Sequence, residues 1–451
     1  MAPSRRDVDR HRGPRPGRRR VLAALAGGVA GLAGCTGPGD DGFRDDQATF
    51  DPDPRPYDET YPAGDAVSMF RRGTRRLGYY PEASVPDAVE VEWAEPINRI
   101  GHTAAKASPR PTPDGDRIIV PDDAGRVHAF TPDGESRWTV RTGAAESLGF
   151  HGTPTVADGT AYLGGYDGAM YALDVETGAT VWKTSRWQLG GAIAIGSSPA
   201  LWDGVLYVLG EYNNPGMDPS GTLWAVDAGT GKPLWSDDRP WGMPHPSPAI
   251  DPATERLVTA SNDGVVYAWA FPSLSFAWSF ETDAQVKGTI PTYEGGAIVG
   301  SWDGHVRRLD LADGSLEWRF ETGAVTMSNP GVDPDAGVVY VGSDDHHVDA
   351  LDAATGERRW ATDVGGRVIG SVTVTPDCVL AGSYDRQLYC LEKGSGDVRW
   401  TVEGVGHATS EAVPHDGRIF YAERADLSGH WTADEETVLE APGRLYALRP
   451  A

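Results

Sequence analysis

The sequence predicts an all-β fold assembled from many short strands, and three observations lead to that prediction. Glycine and proline number 57 and 34 among 451 residues, so about one residue in five favours a turn. Tryptophan numbers 15 whereas methionine numbers only 6. The chain also repeats one pattern of strands and turns from residue 93 onward. This composition excludes a helical bundle, in which so many turn formers would interrupt the helices.

Tryptophan marks the repeat. Eight tryptophans recur at intervals of 40 to 53 residues: Trp93, Trp138, Trp182, Trp235, Trp278, Trp318, Trp360 and Trp400. A period of about 40 to 45 residues is typical of four short strands, the unit that forms one propeller blade. We interpret the rings as wedges between neighbouring blades. The repeat therefore predicts an eight-bladed β-propeller of four-stranded antiparallel blades over residues 93–451, with seven blades as the alternative if one unit is degenerate.

The turn residues fit this blade pattern. Asp-Gly pairs stand at residues 167–168, 263–264 and 303–304, where a tight hairpin needs backbone conformations that glycine adopts easily. Segments such as 174–178 begin with Asp and end with Gly, so the carboxylate can bond the turn backbone while the glycine adopts a left-handed conformation. Each unit therefore carries its own turn signals.

The last unit lacks an outer strand, and an earlier segment can supply it. The unit that follows Trp400 ends near residue 448, whereas residues 89–93 alternate like the missing strand. Pairing the two would complete eight blades and leave no free sheet edge. We therefore assign residues 67–92 to a lead-in segment and a closing strand.

The first 34 residues have the features of an export signal. Three arginines at 18–20 precede a short apolar run rich in Ala and Gly, which favours the twin-arginine route and is too short to span a membrane. Residues 32–35 read Leu-Ala-Gly-Cys and match a lipobox, which predicts lipid attachment at Cys35. An uncleaved signal anchor is the alternative. Residues 35–66 are acidic and rich in proline, and we predict a disordered tether there.

The two other cysteines, Cys378 and Cys390, lie on predicted strands of one hairpin. With an even-numbered turn at residues 384–387, their side chains would face opposite sides of the sheet. We therefore expect no disulfide between them.

The charge limits the partners. The net charge is −25, which excludes a nucleic-acid partner because polyanion binding needs a basic surface. An acidic surface poor in lysine is typical of secreted proteins of salt-loving archaea, where salt screens the repulsion between carboxylates. An acidic protein from an ordinary environment is the alternative. We expect a monomer.

The blade pattern resembles a known family. A hairpin with Asp-Gly, then Tyr-Ala-Leu-Asp at 171–174, Thr-Gly at 177–178 and Trp182 is similar to the pyrroloquinoline-quinone-type (PQQ-like) propeller repeat, including its tryptophan-docking position. Residues 69–72 and 76–79 also resemble the lead-in that precedes such propellers. The resemblance covers about residues 67–451 and implies the fold rather than an activity. The architecture is also similar to the eight-bladed lipoprotein of outer-membrane assembly, which is a non-catalytic scaffold.

Two classes of function follow from this resemblance. The first is a lipid-anchored module at the outer face of the cell membrane that binds or scaffolds an unidentified protein or an anionic polymer. The second is a quinone-dependent dehydrogenase with pyrroloquinoline quinone and calcium. Such enzymes characteristically carry adjacent cysteines and calcium ligands from Glu, Asn and Asp, and this chain has no adjacent cysteines. We therefore expect a non-enzymatic module without catalytic residues, metal or cofactor.

One set of residues points to a binding site. When the units are aligned, Lys106, His151, His245 and Lys287 occupy the same position, at the start of innermost strands that line the central channel. They predict a cationic channel mouth that attracts an anionic group. The alternative is that these cations only balance nearby carboxylates. Two enlarged hairpins, at 211–220 and 423–442, lie on the same face, and the second contains His430 and Trp431. We interpret His346 and His347 as a variant turn rather than a metal pair.

Overall fold

The computed structural model describes residues 67–100, 107–146, 148–213, 216–428 and 438–451. These residues form 36 β-strands and two single helical turns, at Phe70–Arg72 and Gly143–Glu146. No helix in these ranges has the length and apolar character needed to cross a bilayer. The first strands along the chain are β1 (Val67–Ser68) and β2 (Val89–Asn98).

The other strands form eight blades, each given from the channel outward. Blade 1 contains β3 (Arg110–Pro111), β4 (Ile118–Pro121), β5 (Arg126–Phe130) and β6 (Ser136–Arg141). Blade 2 contains β7 (Thr155–Ala157), β8 (Thr160–Gly164), β9 (Met170–Asp174) and β10 (Thr180–Thr184). Blade 3 contains β11 (Ala200–Trp202), β12 (Val205–Tyr212), β13 (Ser220–Asp227) and β14 (Pro233–Asp237). Blade 4 contains β15 (Ala249–Asp251), β16 (Arg256–Ala260), β17 (Val265–Ala270) and β18 (Phe276–Glu281).

The second half of the ring repeats this order. Blade 5 contains β19 (Thr292–Tyr293), β20 (Gly296–Ser301), β21 (His305–Asp310) and β22 (Leu316–Glu321). Blade 6 contains β23 (Gly331–Asp333), β24 (Val338–Gly342), β25 (His347–Asp352) and β26 (Arg358–Asp363). Blade 7 contains β27 (Val372–Val374), β28 (Cys378–Gly382), β29 (Gln387–Glu392) and β30 (Val398–Glu403). Blade 8 contains β32 (Val413–His415), β33 (Arg418–Arg424), β36 (Gly443–Pro450) and then β2, while β31 (His407–Ala408) also pairs with β33. Above blade 8, β34 (Asp426–Ser428) and β35 (Val438–Ala441) form a two-stranded ribbon.

The strand that completes blade 8 comes from the beginning of the propeller. β2 pairs antiparallel with β36, with Val91 opposite Leu448 and Trp93 opposite Ala447. The predictions of an eight-bladed all-β propeller and of closure by residues 89–93 are therefore confirmed, and the seven-bladed alternative is wrong. Closure in this way removes the open edge that the last unit would otherwise expose.

The eight repeated tryptophans lie on outer strands, where neighbouring blades meet. Seven of them donate an Nε1 hydrogen bond of 2.8 to 3.0 Å to a backbone carbonyl just before or in the turn that precedes the outer strand of the next blade. The pairs are Trp93 with Pro132, Trp138 with Val175, Trp182 with Ala228, Trp278 with Leu311, Trp318 with Ala353, Trp360 with Lys393, and Trp400 with Pro86. The contact also explains the turn glycine. Gly314 has a φ of 77°, and a Cβ added there would lie 2.6 Å from the Trp278 ring.

The lead-in segment runs inside the ring. We call residues 67–80 the strap. Its backbone bonds to the innermost strands of five blades, because β1 pairs with β7 and four strap carbonyls accept backbone N–H groups at 2.8 to 2.9 Å. These pairs are Thr74 with Ile250, Arg75 with Thr292, Leu77 with Val332, and Gly78 with Val374. The strap therefore closes the channel with main-chain bonds, which satisfy its own buried polar groups.

Buried side chains connect the strap to the remaining three blades. Arg110 of blade 1 donates to the Met69 carbonyl at 2.6 Å, and Arg76 donates to the Ser198 carbonyl, next to blade 3, at 3.2 Å. The Arg71 N–H donates at 3.2 Å to the carboxylate of Glu411, next to blade 8, which also pairs with the Arg110 guanidinium. Because Arg71, Arg110 and Glu411 are buried, these bonds form in a low dielectric. The strap thus contacts every blade.

The prediction that Cys378 and Cys390 face opposite sides is wrong. Cys378 lies opposite Glu392 and Leu380 lies opposite Cys390, so both cysteines are on the same face and pack in the same cluster. The reason is the hairpin, whose turn holds an odd number of residues with Arg386 in a left-handed conformation at φ 71°. Both cysteines are buried and free.

Candidate functional site

The two faces of the ring differ in their connections. We call the face that holds the blade-to-blade connections and the hairpins between second and third strands the top face, and the other the bottom face. The innermost strands start at the top face, so the predicted channel mouth lies there. Lys106 lies outside the described residues. His151, His245 and Lys287 lie in the connections that lead into the innermost strands of blades 2, 4 and 5.

A buried carboxylate lies beside these cations. Glu211, at the upper end of β12, has a side chain that is 3 % exposed, and its Oε1 lies 3.4 Å from Nδ1 of His245. In blade 3, Gly196 occupies the position that His245 and Lys287 occupy in their blades. It leaves room for the Glu211 side chain, because a Cβ at Gly196 would lie 2.7 Å from Glu211 Oε1. Burial lowers the pKa of Lys287, and the charge of Glu211 acts in the opposite direction. Glu211 thus supplies the balancing carboxylate that the alternative interpretation of the ring requires.

Aromatic rings line the same mouth. The His151 ring centroid lies 3.7 Å from that of Tyr166, and Lys287 Nζ lies 4.2 Å from the centroid of Trp302. Burial, followed by the charge of Glu211, raises the pKa of Tyr166. A cation over an aromatic face and a partly desolvated carboxylate make this a polar, well-packed mouth. Binding of an anion there stays a prediction.

A second feature of the top face is a set of exposed apolar side chains around blade 3. Trp187 is 76 % exposed, Met217 is 68 % exposed and Trp241 is 47 % exposed. They come from the connection before blade 3, the enlarged hairpin of blade 3, and the connection after it. We call these three side chains the aromatic platform. All three belong to loops at the top of one blade, and exposed apolar surface is typical of interaction sites.

Backbone bonds hold the platform loops together. Ala194 pairs with Glu211, and Ser220 pairs with Trp241, as isolated β-bridges. Gly221 N–H also donates to the Pro240 carbonyl at 2.8 Å. The two connections therefore extend the enlarged hairpin on both sides, and the loops are fixed to one another. A surface fixed in this way loses little conformational entropy when a partner binds.

Neither the platform nor the role of Glu211 was predicted from the sequence. The sequence contains a signal for each feature. For the platform, it is that seven of the 15 tryptophans lie outside the repeated position. For Glu211, it is that blade 3 has a glycine, Gly196, where other blades have His or Lys. The second enlarged hairpin begins with Glu423 and carries the β34–β35 ribbon, while His430 and Trp431 lie outside the described residues. His346 has a φ of 72°, in agreement with a variant turn.

Comparison with known proteins identifies the family. The family model described as outer membrane protein assembly factor BamB matches residues 90–239, 219–334 and 303–451. The chain belongs to this family. It is similar to the BamB of Yersinia pestis, at 26% identity over 225 residues, or 47% of this chain and 53% of that protein. The chain therefore spans about half the length of that relative.

Quinone-dependent dehydrogenases are also similar to this chain. The dehydrogenase subunit of a quinone alcohol dehydrogenase from Gluconacetobacter polyoxogenes is 29% identical over 195 residues, which is 42% of this chain and 21% of that one. The crystal structure of the quinohemoprotein alcohol dehydrogenase of Comamonas testosteroni superposes with a TM-score of 0.67 at 14% identity, covering 90% of this chain and 83% of that one. At that identity the superposition shows the shared fold alone.

Proposed function

We propose that this protein is an exported, lipid-anchored and non-catalytic propeller whose top face holds a partner protein at the cell surface. The aromatic platform is the observation that carries the proposal. Tryptophan and methionine are enriched in the centres of protein interfaces, and here they are exposed on loops that backbone bonds fix in place. Membership of the BamB family supports a binding role rather than chemistry.

Charge favours a different protein over a second copy as the partner. Two chains that each carry a net charge of −25 repel one another at low ionic strength. The anchor in this proposal is a lipid on Cys35, and the membrane is therefore the second partner. The channel mouth, with Lys106, His151, His245 and Lys287, is proposed as a further contact for an acidic group of the partner.

The platform can be tested with a matched control. The double variant Trp187→Ser and Trp241→Ser is compared with Leu316→Ser, an apolar side chain that is also exposed but lies on outer strand β22. We expect photo-crosslinking in intact membranes to lose its main cross-linked protein in the double variant alone. Equal capture by the double variant and by wild type would contradict the proposal.

The second candidate is a quinone-dependent dehydrogenase, favoured by the similarity to the Gluconacetobacter subunit. Such enzymes hold calcium beside the quinone, and calcium needs several oxygen ligands. Across the described ranges no three His, Cys, Asp or Glu side chains come together to hold a metal ion. The described carboxylates therefore do not by themselves supply the several oxygen ligands that calcium takes. Absorbance after incubation with the quinone and calcium, together with alcohol oxidation, would distinguish the two candidates.

A further inference from the structure

A cluster of arginines surrounds one tyrosine at the top of blades 7 and 8, across the channel from Glu211. The His407 ring stacks on Tyr384, with centroids 4.4 Å apart and planes at 10°. The guanidinium carbon of Arg367 lies 4.7 Å from the centroid of Tyr384, and that of Arg424 lies 5.6 Å away. Arg424 also donates a hydrogen bond to the Tyr384 hydroxyl. Arg386 follows in the same turn as Tyr384, and we call these five residues the arginine rim.

Two of the rim guanidiniums have only distant carboxylate partners. Arg367 lies 3.9 Å from Asp344, and Arg386 lies 3.6 Å from Asp426, while both side chains are about half exposed, at 49% and 50%. Neither donates a side-chain hydrogen bond to any other residue in the described ranges. Other arginines pair closely, at 2.6 Å for Arg307 with Asp303 and 2.6 Å for Arg418 with Glu92. In a chain with 65 acidic and 40 basic residues, loosely paired guanidiniums leave donors available to a ligand.

The backbone of the rim provides a second and independent observation. Arg386 occupies its turn with a φ of 71°, where the corresponding hairpins of blades 2, 4 and 5 have Gly168, Gly264 and Gly304 at 74° to 80°. A side chain in this left-handed region carries steric strain that glycine avoids. His346 of blade 6 has the same conformation at 72°, so the strain holds the Arg386 side chain in position without by itself marking a site. The turn therefore favours glycine for stability but holds a half-exposed arginine 3.6 Å from Asp426.

The charge of the rim comes from its arginines. His407 Nδ1 lies 2.8 Å from the Tyr384 carbonyl and donates to it. Burial lowers the pKa of His407, so the ring is neutral at neutral pH. Its stacking on Tyr384 instead fixes the aromatic surface that the guanidiniums contact.

We propose that Arg367, Arg386 and Arg424 form a binding site for a carboxylate carried by an extended polypeptide segment. A planar guanidinium matches a carboxylate with two parallel N–H donors. The exposed Val438 and Leu439 of β35 favour a polypeptide over a free anion, because they offer apolar contacts on the same ribbon whose Asp426 lies 3.6 Å from Arg386. This site rests on the proposed function, because it assumes a partner protein, and it specifies a carboxylate as the group of that partner that binds. The acidic surface elsewhere would repel a carboxylate, so the rim also fixes where that group binds.

The experiment exploits the strained turn. The probe is a rhodamine-labelled peptide Gly-Ser-Gly-Val-Leu, prepared with a free carboxylate and with an amide at its end, and anisotropy reports binding. We expect wild type to bind the free acid about tenfold more tightly than the amide, the effect of one charge-assisted hydrogen bond pair. Arg386→Gly removes this difference and does not lower the melting temperature, because glycine relieves the strain.

Control variants separate the rim from other sites. His346→Gly makes the same replacement in the equivalent turn of blade 6, at φ 72°, and leaves the acid-to-amide ratio unchanged. Lys287→Ala tests the channel mouth, and loss of the acid-to-amide ratio in that variant would assign the carboxylate to the mouth and overturn the site. Equal binding of acid and amide to wild type, or a ratio retained in the double variant Arg367→Gln and Arg386→Gly, overturns the site. Inorganic phosphate that displaces the peptide at lower concentration than the free acid itself overturns the polypeptide assignment. Membrane crosslinking through the platform is independent of these outcomes, because Trp187 and Trp241 flank blade 3.

Discussion

Removal of one interblade tryptophan tests how the ring is held together. The Trp278 side chain is buried with 7% exposure, and its Nε1 donates to the Leu311 carbonyl of blade 5 at 2.8 Å. Trp278→Ala is expected to cost about 3 to 5 kcal/mol for the lost ring and cavity. The Leu311 carbonyl keeps a second hydrogen bond, donated by Nε of Arg256 at 3.0 Å, and therefore adds little to this cost. For a folded region of this size, a loss of about 4 kcal/mol lowers the melting temperature by about 5 °C.

The assay is equilibrium unfolding in guanidinium chloride with calorimetry on the same samples. Trp187→Ala is the matched control, because its ring is exposed on the top face, and it should change the free energy of unfolding by less than about 0.5 kcal/mol. Equal losses in the two variants would refute the conclusion that the repeated tryptophans stabilise contacts between blades.

Four further predictions follow from charged or modified groups. Glu411→Ala leaves Arg71 and Arg110 buried without their carboxylate and should cost about 3 to 5 kcal/mol in the free energy of unfolding. Burial raises the pKa of Glu423 to about 7 from 4.5, so stability should fall as pH rises from 4.5 to 7, and Glu423→Gln should remove this slope in melting curves at pH 5 and 8. Cys35→Ser should abolish the mass of an attached lipid in intact mass spectra of membrane extracts. The melting temperature should rise with potassium chloride, because salt screens a net charge of −25; a fall between 0.1 and 2 M would contradict this.

The sequence predicts the ring because its main signals are local and repeated. The interval between successive repeated tryptophans, such as Trp138 and Trp182, is the length of one blade. The alternation at residues 89–93 identifies the strand that pairs with β36. The cysteine prediction failed for a local reason as well. The number of residues in a turn decides which face a strand presents, and Arg386 in a left-handed conformation is not evident from composition.

The candidate sites were only partly predictable, because they depend on contacts between distant residues. Alignment of the units places His245 and Lys287 at the mouth, but Glu211 enters the space above Gly196 from a different strand. The residues of the arginine rim come from the connections before and after blade 7, from the hairpin of that blade and from the end of β33. They are adjacent only in the folded ring, so no single segment of the sequence shows them together. A position that departs from the repeat, such as Arg386 in place of glycine, was the available signal.

The pairing of β2 with β36 has a consequence for how the chain folds. Val91 and Leu448 are partners although almost the whole propeller separates them in sequence. During synthesis, the strap and β2 emerge first, while several of their partners, and all of the β36 strand, emerge last. Contacts between such distant residues slow folding and leave early segments exposed to aggregation. The ring is therefore completed only after the β36 strand has left the ribosome.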